Sequence, residues 1–388
     1  MANCLMIGCD LHDQTMLLKI AVDRPPPQMR SWGTDATARQ KMIADLQTRA
    51  AADQTQRIVF AYEACGFGFR LHDELVAAGI ECYVLAPSKM PRSASQRQRK
   101  TDERDAQMIL NIVRSFVLAG VELPAVWIPD LATRDDRQLI RRRLTVAQEA
   151  AKTQTRIRRQ LKGLDVTAPG TLKNTHWTKA YEAWLEELET PQLPARNGHG
   201  AAAARARLRR HLTWLRAEVK LLDQQVEALA QTPRYPALVT ALCQHTGIGV
   251  LTALVYLTEM GDLTRFENRQ QVGSYLGLTP ASHATGQDGD RKSHIPRQGP
   301  TRVRQVLCPA VWVRLGHVAK EQLAYEALVA RNPKHKKIAV VARMRVLGIT
   351  LWHTGVEVLH AQRAKGKSAH AAPPEPAPAQ QTPAVRAA

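Results

Sequence analysis

The chain has 388 residues, enough for two or three domains, and its 44% of hydrophobic residues exclude a disordered or fibrous protein. Its 54 Lys and Arg against 35 Asp and Glu give a formal charge of +19, which favours a polyanionic partner, nucleic acid first, although an arginine-rich chain with no such role is the alternative that composition leaves open. No stretch reaches the ~20 apolar residues of a membrane span, and no charged segment followed by an apolar core opens the chain, so a cytoplasmic protein without membrane contact is expected. Short apolar runs at 4–9, 16–22 and 29–33, a helical stretch at 36–49, a strand at 57–62, a helix at 67–79 and a strand at 81–86 predict an α/β sheet with helices on its faces, in the element order of a ribonuclease H-like fold.

Two carboxylates stand at strand ends: Asp10 closes Leu5-Met6-Ile7-Gly8-Cys9-Asp10, and Glu63 closes Ile58-Val59-Phe60-Ala61-Tyr62-Glu63. Between Lys89 and Lys100 lie Arg92, Arg97 and Arg99 and no acidic residue, which predicts a phosphate-contacting loop. Thr101 is then placed to cap a helix whose first turn carries Asp102 and Asp105 on one face, followed by Met108, Ile109, Ile112, Val113 and Phe116. Four carboxylates so arranged suit a RuvC-like nuclease centre with two divalent ions, while ordinary helix-start chemistry also accounts for the aspartate pair.

A basic helix is predicted over 134–162, with nucleic-acid contacts assigned to Arg141, Arg142, Arg143, Arg156, Arg158 and Arg159. The Pro- and Gly-containing stretch 190–198 reads as a hinge. Leu208, Leu212, Leu215, Val219, Leu222, Val226 and Leu229 then alternate spacings of four and three, a coiled-coil seam whose partner is either the 134–162 helix or another subunit. Thr246-Gly247-Ile248-Gly249-Val250 between two apolar helical stretches has the pattern of a helix-hairpin-helix, in which Gly247 and Gly249 admit a phosphate; a tight helix turn is the plainer alternative. Residues 280–300 are polar and Gly-rich, core helices are expected at 301–318 and 338–360, and disorder from Ala364 onward. The six cysteines (4, 9, 65, 82, 243, 308) have no zinc-like spacing and read as reduced thiols.

Several strings together resemble the insertion-sequence one-ten family of transposases, which includes the Piv/MooV DNA invertases. They are I-G-C-D at 7–10, Y-E-A-C-G-F-G-F at 62–69, K-T-D-E-R-D-A at 100–106, H-T-G-I-G-V-L-T-A at 245–253, G-D-L-T-R-F at 261–266 and Y-L-G-L-T-P at 275–280. The resemblance implies a RuvC-like DEDD domain (1–125), a basic helical and coiled-coil segment (126–235), a mainly α C-terminal transposase domain with the helix-hairpin-helix (236–363) and a disordered tail (364–388). It implies a catalytic tetrad of Asp10, Glu63, Asp102 and Asp105 holding two Mg²⁺ ions, with Mn²⁺ able to substitute. A C-terminal hydroxyl would be the nucleophile. The family's serine falls here on Thr285, with Ser282 and Ser293 as fallback positions. The implied partners are double-stranded donor and target DNA, a structured noncoding guide RNA and further copies of the chain, as a dimer or tetramer, in the bacterial cytoplasm at the nucleoid. A structure-specific nuclease using water, and a binding remnant of a transposase without activity, are the competing readings.

Overall fold

A computed structural model describes residues 4–22, 26–90, 101–172, 177–188, 199–280, 282–285, 288–292, 295–296 and 298–370. They fall into two compact units, Met1–Ile128 and Pro129–Ala388. The first is built on a five-stranded sheet in the order β3-β2-β1-β4-β5. Strands β1 (Cys4–Leu11), β2 (Thr15–Val22) and β3 (Gln28–Gly33) form an antiparallel meander, and β4 (Arg57–Glu63) and β5 (Glu81–Leu85) add in parallel beside β1. Central β1 is covered on both faces, which is why it reads as an unbroken apolar run.

The pleat sends alternate residues to opposite sides. Leu5, Ile7 and Cys9 pack with Phe60 and Tyr62 against α1 (Ala36–Ala52) and α2 (Arg70–Ala77), through Met42, Leu46, Leu71 and Leu75. Cys4 and Met6 pack with Val59 and Ala61 against α3 (Asp102–Ala119), through Ile109, Leu110 and Val113. Asp35 caps α1 and Thr101 caps α3, each accepting a hydrogen bond from the backbone N–H three residues on, and α3 stops at the left-handed Gly120.

The second unit is helical apart from a short hairpin of β6 (Ser282–Thr285) and β7 (Asp288–Lys292), where only a polar segment was expected. Helix α4 (Leu131–Gly163) lies along α6 (His199–Ala230). Ile140 and Leu144 meet Val226 and Ala230, Val146 meets Leu215 and Leu222, and Ile157 and Leu161 meet Leu212, so the two run antiparallel. The seam residues of α6 thus find their partner within the same chain. Short α5 (Lys179–Glu187) packs Tyr181 and Leu185 against the far end of this pair.

The near end merges with a core formed by α7 (Pro236–Cys243), α8 (Val250–Met260), α9 (Arg269–Tyr275), α10 (Thr301–His317) and α12 (Lys336–His370). Residues on both sides of 235 share this one core. Helix α11 (Ala319–Arg331), which lies between the two expected core helices and was not anticipated, buries no residue. Helix α12 continues past Ala364, where disorder was expected, and the tail expectation beyond residue 370 lies outside the described residues. Among the described residues no helix is long and apolar enough to cross a membrane.

One polar tie inside this core carries a prediction. Glu259, 6% exposed on α8, accepts two hydrogen bonds from the Arg141 guanidinium on α4 (2.7 and 2.8 Å), and Arg137 donates to the carbonyls of Thr258 and Glu259. Burial alone would raise the Glu259 carboxyl, but the arginine hydrogen bonds outweigh it and hold the group below its ordinary 4.5. A depressed carboxyl contributes stability above its unfolded value, and that contribution is lost as pH falls through the folded one. Arg141→Ala is therefore expected to cost about 2–4 kcal/mol at neutral pH, because it strands a buried carboxylate. Urea midpoints should show the gap to wild type narrowing on acidification below about pH 4.5, and a gap independent of pH would refute the assignment.

Candidate metal centre

The sheet and α3 bring the acidic residues together through one close contact. A Cβ at Gly8 would lie 2.3 Å from the Leu110 backbone nitrogen and 2.4 Å from the Ala106 carbonyl oxygen, so only glycine lets α3 rest this near β1. From Gly8 two strand residues lead to Asp10, a rise of about 7 Å. From Ala106 one helical turn back leads to Asp102, a rise of about 6 Å on the same helix face. The two climbs nearly match, and Asp102 arrives beside Asp10. Lys19, opposite Gly8 on β2, anchors the same helix start with a 2.6 Å ion pair to Glu103.

Asp10 is the penultimate residue of β1 and only 6% exposed. His12 follows it on the same side of the chain, and its Nε2 lies 3.0 Å from Asp10 Oδ2 and 3.3 Å from Asp102 Oδ1. These three side chains offer ligand atoms that all lie within 4.8 Å of one another. Burial pushes the Asp10 carboxyl up, His12 opposes the shift, and the negative fields of Asp105 and Asp102 add to it. Asp105, half-buried and three residues further along α3, is thus within electrostatic reach of Asp10. Glu63 ends β4; since Tyr62 stands opposite Cys9 in the parallel register, the next step places Glu63 beside Asp10 on the sheet face that α3 covers. It stands outside the three-atom cluster.

Sequence reasoning missed His12. Its signal was the D-x-H alternation at the end of a strand, which puts both side chains on one face. Two carboxylates and an imidazole, one ligand buried and Asp102 61% exposed at the side chain, make a donor set that fits a divalent ion still open to a substrate oxygen. Imidazole is softer than carboxylate, so His12→Ala is expected to weaken Mn²⁺ binding roughly 10- to 100-fold and Mg²⁺ binding less. Titration of Mn²⁺ by electron paramagnetic resonance measures this; equal affinities would place His12 outside the coordination sphere.

The assigned basic residues divide. Lys89 is exposed, whereas Arg92, Arg97, Arg99 and Lys100 lie outside the described residues. Arg142, Arg156 and Arg159 are exposed on α4. Arg141 and Arg143 are instead committed inside the unit, Arg141 to Glu259 and Arg143 to Asp223 at 2.7 Å, and Arg158 lies 5.6 Å over the Trp177 ring. Consecutive helix residues point about 100° apart, so a run of three arginines cannot face one ligand. Gly247, at φ +87°, meets the Ala310 carbonyl of α10, with 2.5 Å to an added Cβ, so helix packing already requires it; Gly249 starts α8 with open space around it. Thr285 ends β6, paired with Asp288 across the hairpin, and Ser282 begins it, whereas Ser293 lies outside the described residues.

Comparison with known proteins gives two family matches. A transposase family model with a DEDD signature matches residues 9–165, from the residue before Asp10 through the end of α4. A second, described as the transposase IS116/IS110/IS902 family, matches residues 239–326. Together they span more than half of the chain. The chain belongs to the IS110 family of transposases.

Relatives agree with that membership. A Sinorhizobium fredii protein bearing the name "Putative transposase y4qE" is 28% identical over 79% of this chain and 70% of its own length. The transposase for insertion sequence element IS1533 of Leptospira borgpetersenii is 25% identical over 80% of this chain and 86% of its own. The pilin gene-inverting protein of Moraxella bovis is 31% identical over 128 residues, 32% of this chain and 39% of its own. The match of the IS110-family DEDD model begins at the strand end where Asp10, His12 and Asp102 converge.

Proposed function

We propose that the protein cuts and rejoins DNA as the transposase of an insertion sequence, using the acidic centre of its first unit and a hydroxyl of its second. The observation that carries this reading is the convergence of Asp10 and Asp102 with His12 in a chain of the IS110 family. Asp10, Asp102, Asp105 and Glu63 would hold Mg²⁺ or Mn²⁺, with His12 as a further ligand. A bound divalent ion would polarise the scissile phosphate and steady the leaving oxygen. Asp10 supplies the buried, fixed carboxylate, and exposed Asp102 the one that a phosphate oxygen can approach.

The Thr285 hydroxyl would attack phosphorus, its proton leaving to solvent or a base as the P–O bond to the departing strand breaks. The covalent link so formed conserves the phosphodiester, and strands can be rejoined to a new partner without ATP. Exposed Lys89, Arg142, Arg156 and Arg159 would contact phosphates and position the nucleic acid without reading its sequence. Sequence choice would then fall to pairing between a structured guide RNA and the donor and target DNA, in an assembly of several copies; this part rests on the family resemblance alone.

Recombination of a plasmid carrying the element's own ends and noncoding end tests the reading. Wild type should recombine, and Thr285→Ala should lose recombination together with the protein–DNA adduct seen on denaturing gels. Thr285→Ser should match or exceed wild type, since serine lacks the methyl group that crowds in-line approach. Metal-dependent cleavage with no adduct, unaffected by Thr285→Ala, would replace the proposal by a structure-specific nuclease that uses water. Binding without cleavage by any variant would leave a remnant.

A further inference from the structure

At the end of the α4–α6 pair furthest from the shared core lies a cavity of about 340 Å³ that the function described so far does not use. Its floor is Leu161 and the ring of Tyr181, 4% and 2% exposed, and Trp184 of α5 forms one wall. Arg158 and Lys162 stand on the α4 side, and Asp165 and Thr167 on the loop that follows α4. The aromatic side is a connected group: Tyr181 lies 5.3 Å from Trp184 and 5.2 Å, edge on, from Trp177, which Arg158 and Arg216 both approach at 5.6 Å. Arg156 and Arg159 are exposed on the same stretch of α4.

A packing defect in a helical bundle is closed and aliphatic. This cavity is open, aromatic on the α5 side, and lined on the other by two cations, Arg158 and Lys162, against one carboxylate, Asp165, a net positive balance. Its volume sits at the low end of ligand pockets, ~300–1,000 Å³, which suits one base with its sugar and excludes a stacked pair. A π-face beside a guanidinium and an ammonium is the chemistry that binds an unstacked base by its ring and the adjoining phosphate by its charge. Paired RNA hides its base faces in the helix, so the ligand must be single-stranded at that point.

We infer that this cavity holds one unpaired nucleobase of a bound nucleic acid, flipped out against Trp184 with its phosphate toward Arg158 and Lys162. The inference rests on the proposed nucleic-acid function and adds a place where a looped strand is told from a duplex.

Fluorescence anisotropy of the full chain with three probes tests it: an RNA hairpin with an unpaired loop, a fully paired RNA duplex of equal phosphate number, and adenosine monophosphate as competitor. Trp184→Ala should weaken the hairpin roughly ten-fold or more and leave the duplex unchanged, and Trp184→Phe should restore most of the loss. Thr167→Trp plugs the cavity from an exposed loop position without removing any core contact, and it should lose hairpin binding in the same way, which settles the matter if Trp184→Ala unfolds. Adenosine monophosphate should compete only at millimolar concentration. Loss on both probes alike, loss on neither, or monophosphate binding as tight as the hairpin would overturn the inference while leaving nucleic-acid binding intact. Failure of the wild type to bind either RNA would remove the underlying reading itself.

Discussion

Asp10→Asn should abolish metal-dependent strand cleavage, by roughly 10³-fold or more, while leaving the metal-free protein as stable as wild type or more so. The two directions have one cause. Asp10 is a carboxylate taken almost out of water and set near Asp102 and Asp105, an arrangement that costs free energy until a cation is shared among them. Asparagine keeps the size and the hydrogen bond to His12 but carries no charge, so burial and repulsion are relieved. The carboxylate proposed to hold the cation would be lost, and several kcal/mol of transition-state stabilisation with it, at 1.36 kcal/mol per ten-fold in rate. Cleavage assays with Mg²⁺ and with Mn²⁺, beside thermal melts in chelator, measure both sides. Full cleavage by Asp10→Asn would remove the acidic centre from the mechanism; a large fall in the melting temperature would mean that Asp10 holds the fold rather than the ion.

Gly8→Ala is expected to be nearly as damaging, although Gly8 carries no functional group. The added methyl would fall 2.3 and 2.4 Å from two backbone atoms of α3, which cannot swing aside as a side chain does. The helix must retreat from β1 by about 1 Å, at a cost of about 1–3 kcal/mol. Asp102 and Asp105 retreat with it while Asp10 stays on the strand. A displacement of that size at a reacting centre costs about 100-fold in rate. Melting curves and cleavage rates measured together test this: a variant that folds, melts a few degrees lower and cleaves about 100 times more slowly is the expected result. Cleavage within a few-fold of wild type would show that the helix start does not need this contact.

Much of this was legible in the sequence because each doubly covered strand is a continuous apolar run and each helix carries its own cap and period. Asp10 and Glu63 showed themselves by interrupting such runs, and Thr101 announced the helix that carries Asp102 and Asp105. What escaped was whatever depends on a neighbour distant in the chain. Gly8 looks like a defect in a strand until α3 is laid on it. His12 sits at the end of the β1–β2 hairpin and gains meaning only when Asp102 arrives from residues away. The arginines at 141 and 143 read as a nucleic-acid surface because their partners, Glu259 and Asp223, lie more than 75 positions downstream. Charge counted along a chain overstates charge offered to a ligand. The β6–β7 hairpin is polar throughout and had no apolar alternation to betray it.

The Lys19–Glu103 pair bears on how many charges the centre must balance. If Asp10, Glu63, Asp102 and Asp105 are all ionised, two divalent ions neutralise them completely. Glu103, in the same helix turn as two of them, would leave the ensemble one negative charge in excess and would offer the ions a wrong ligand. The lysine on β2 binds that carboxylate and holds it below its ordinary range, so the surplus is cancelled at the edge of the site. Because the ammonium is spent on Glu103, it does not take the place of a metal among the other four. In the proposed two-ion centre, charge neutrality would then be set by a residue that need never touch the ions or the DNA.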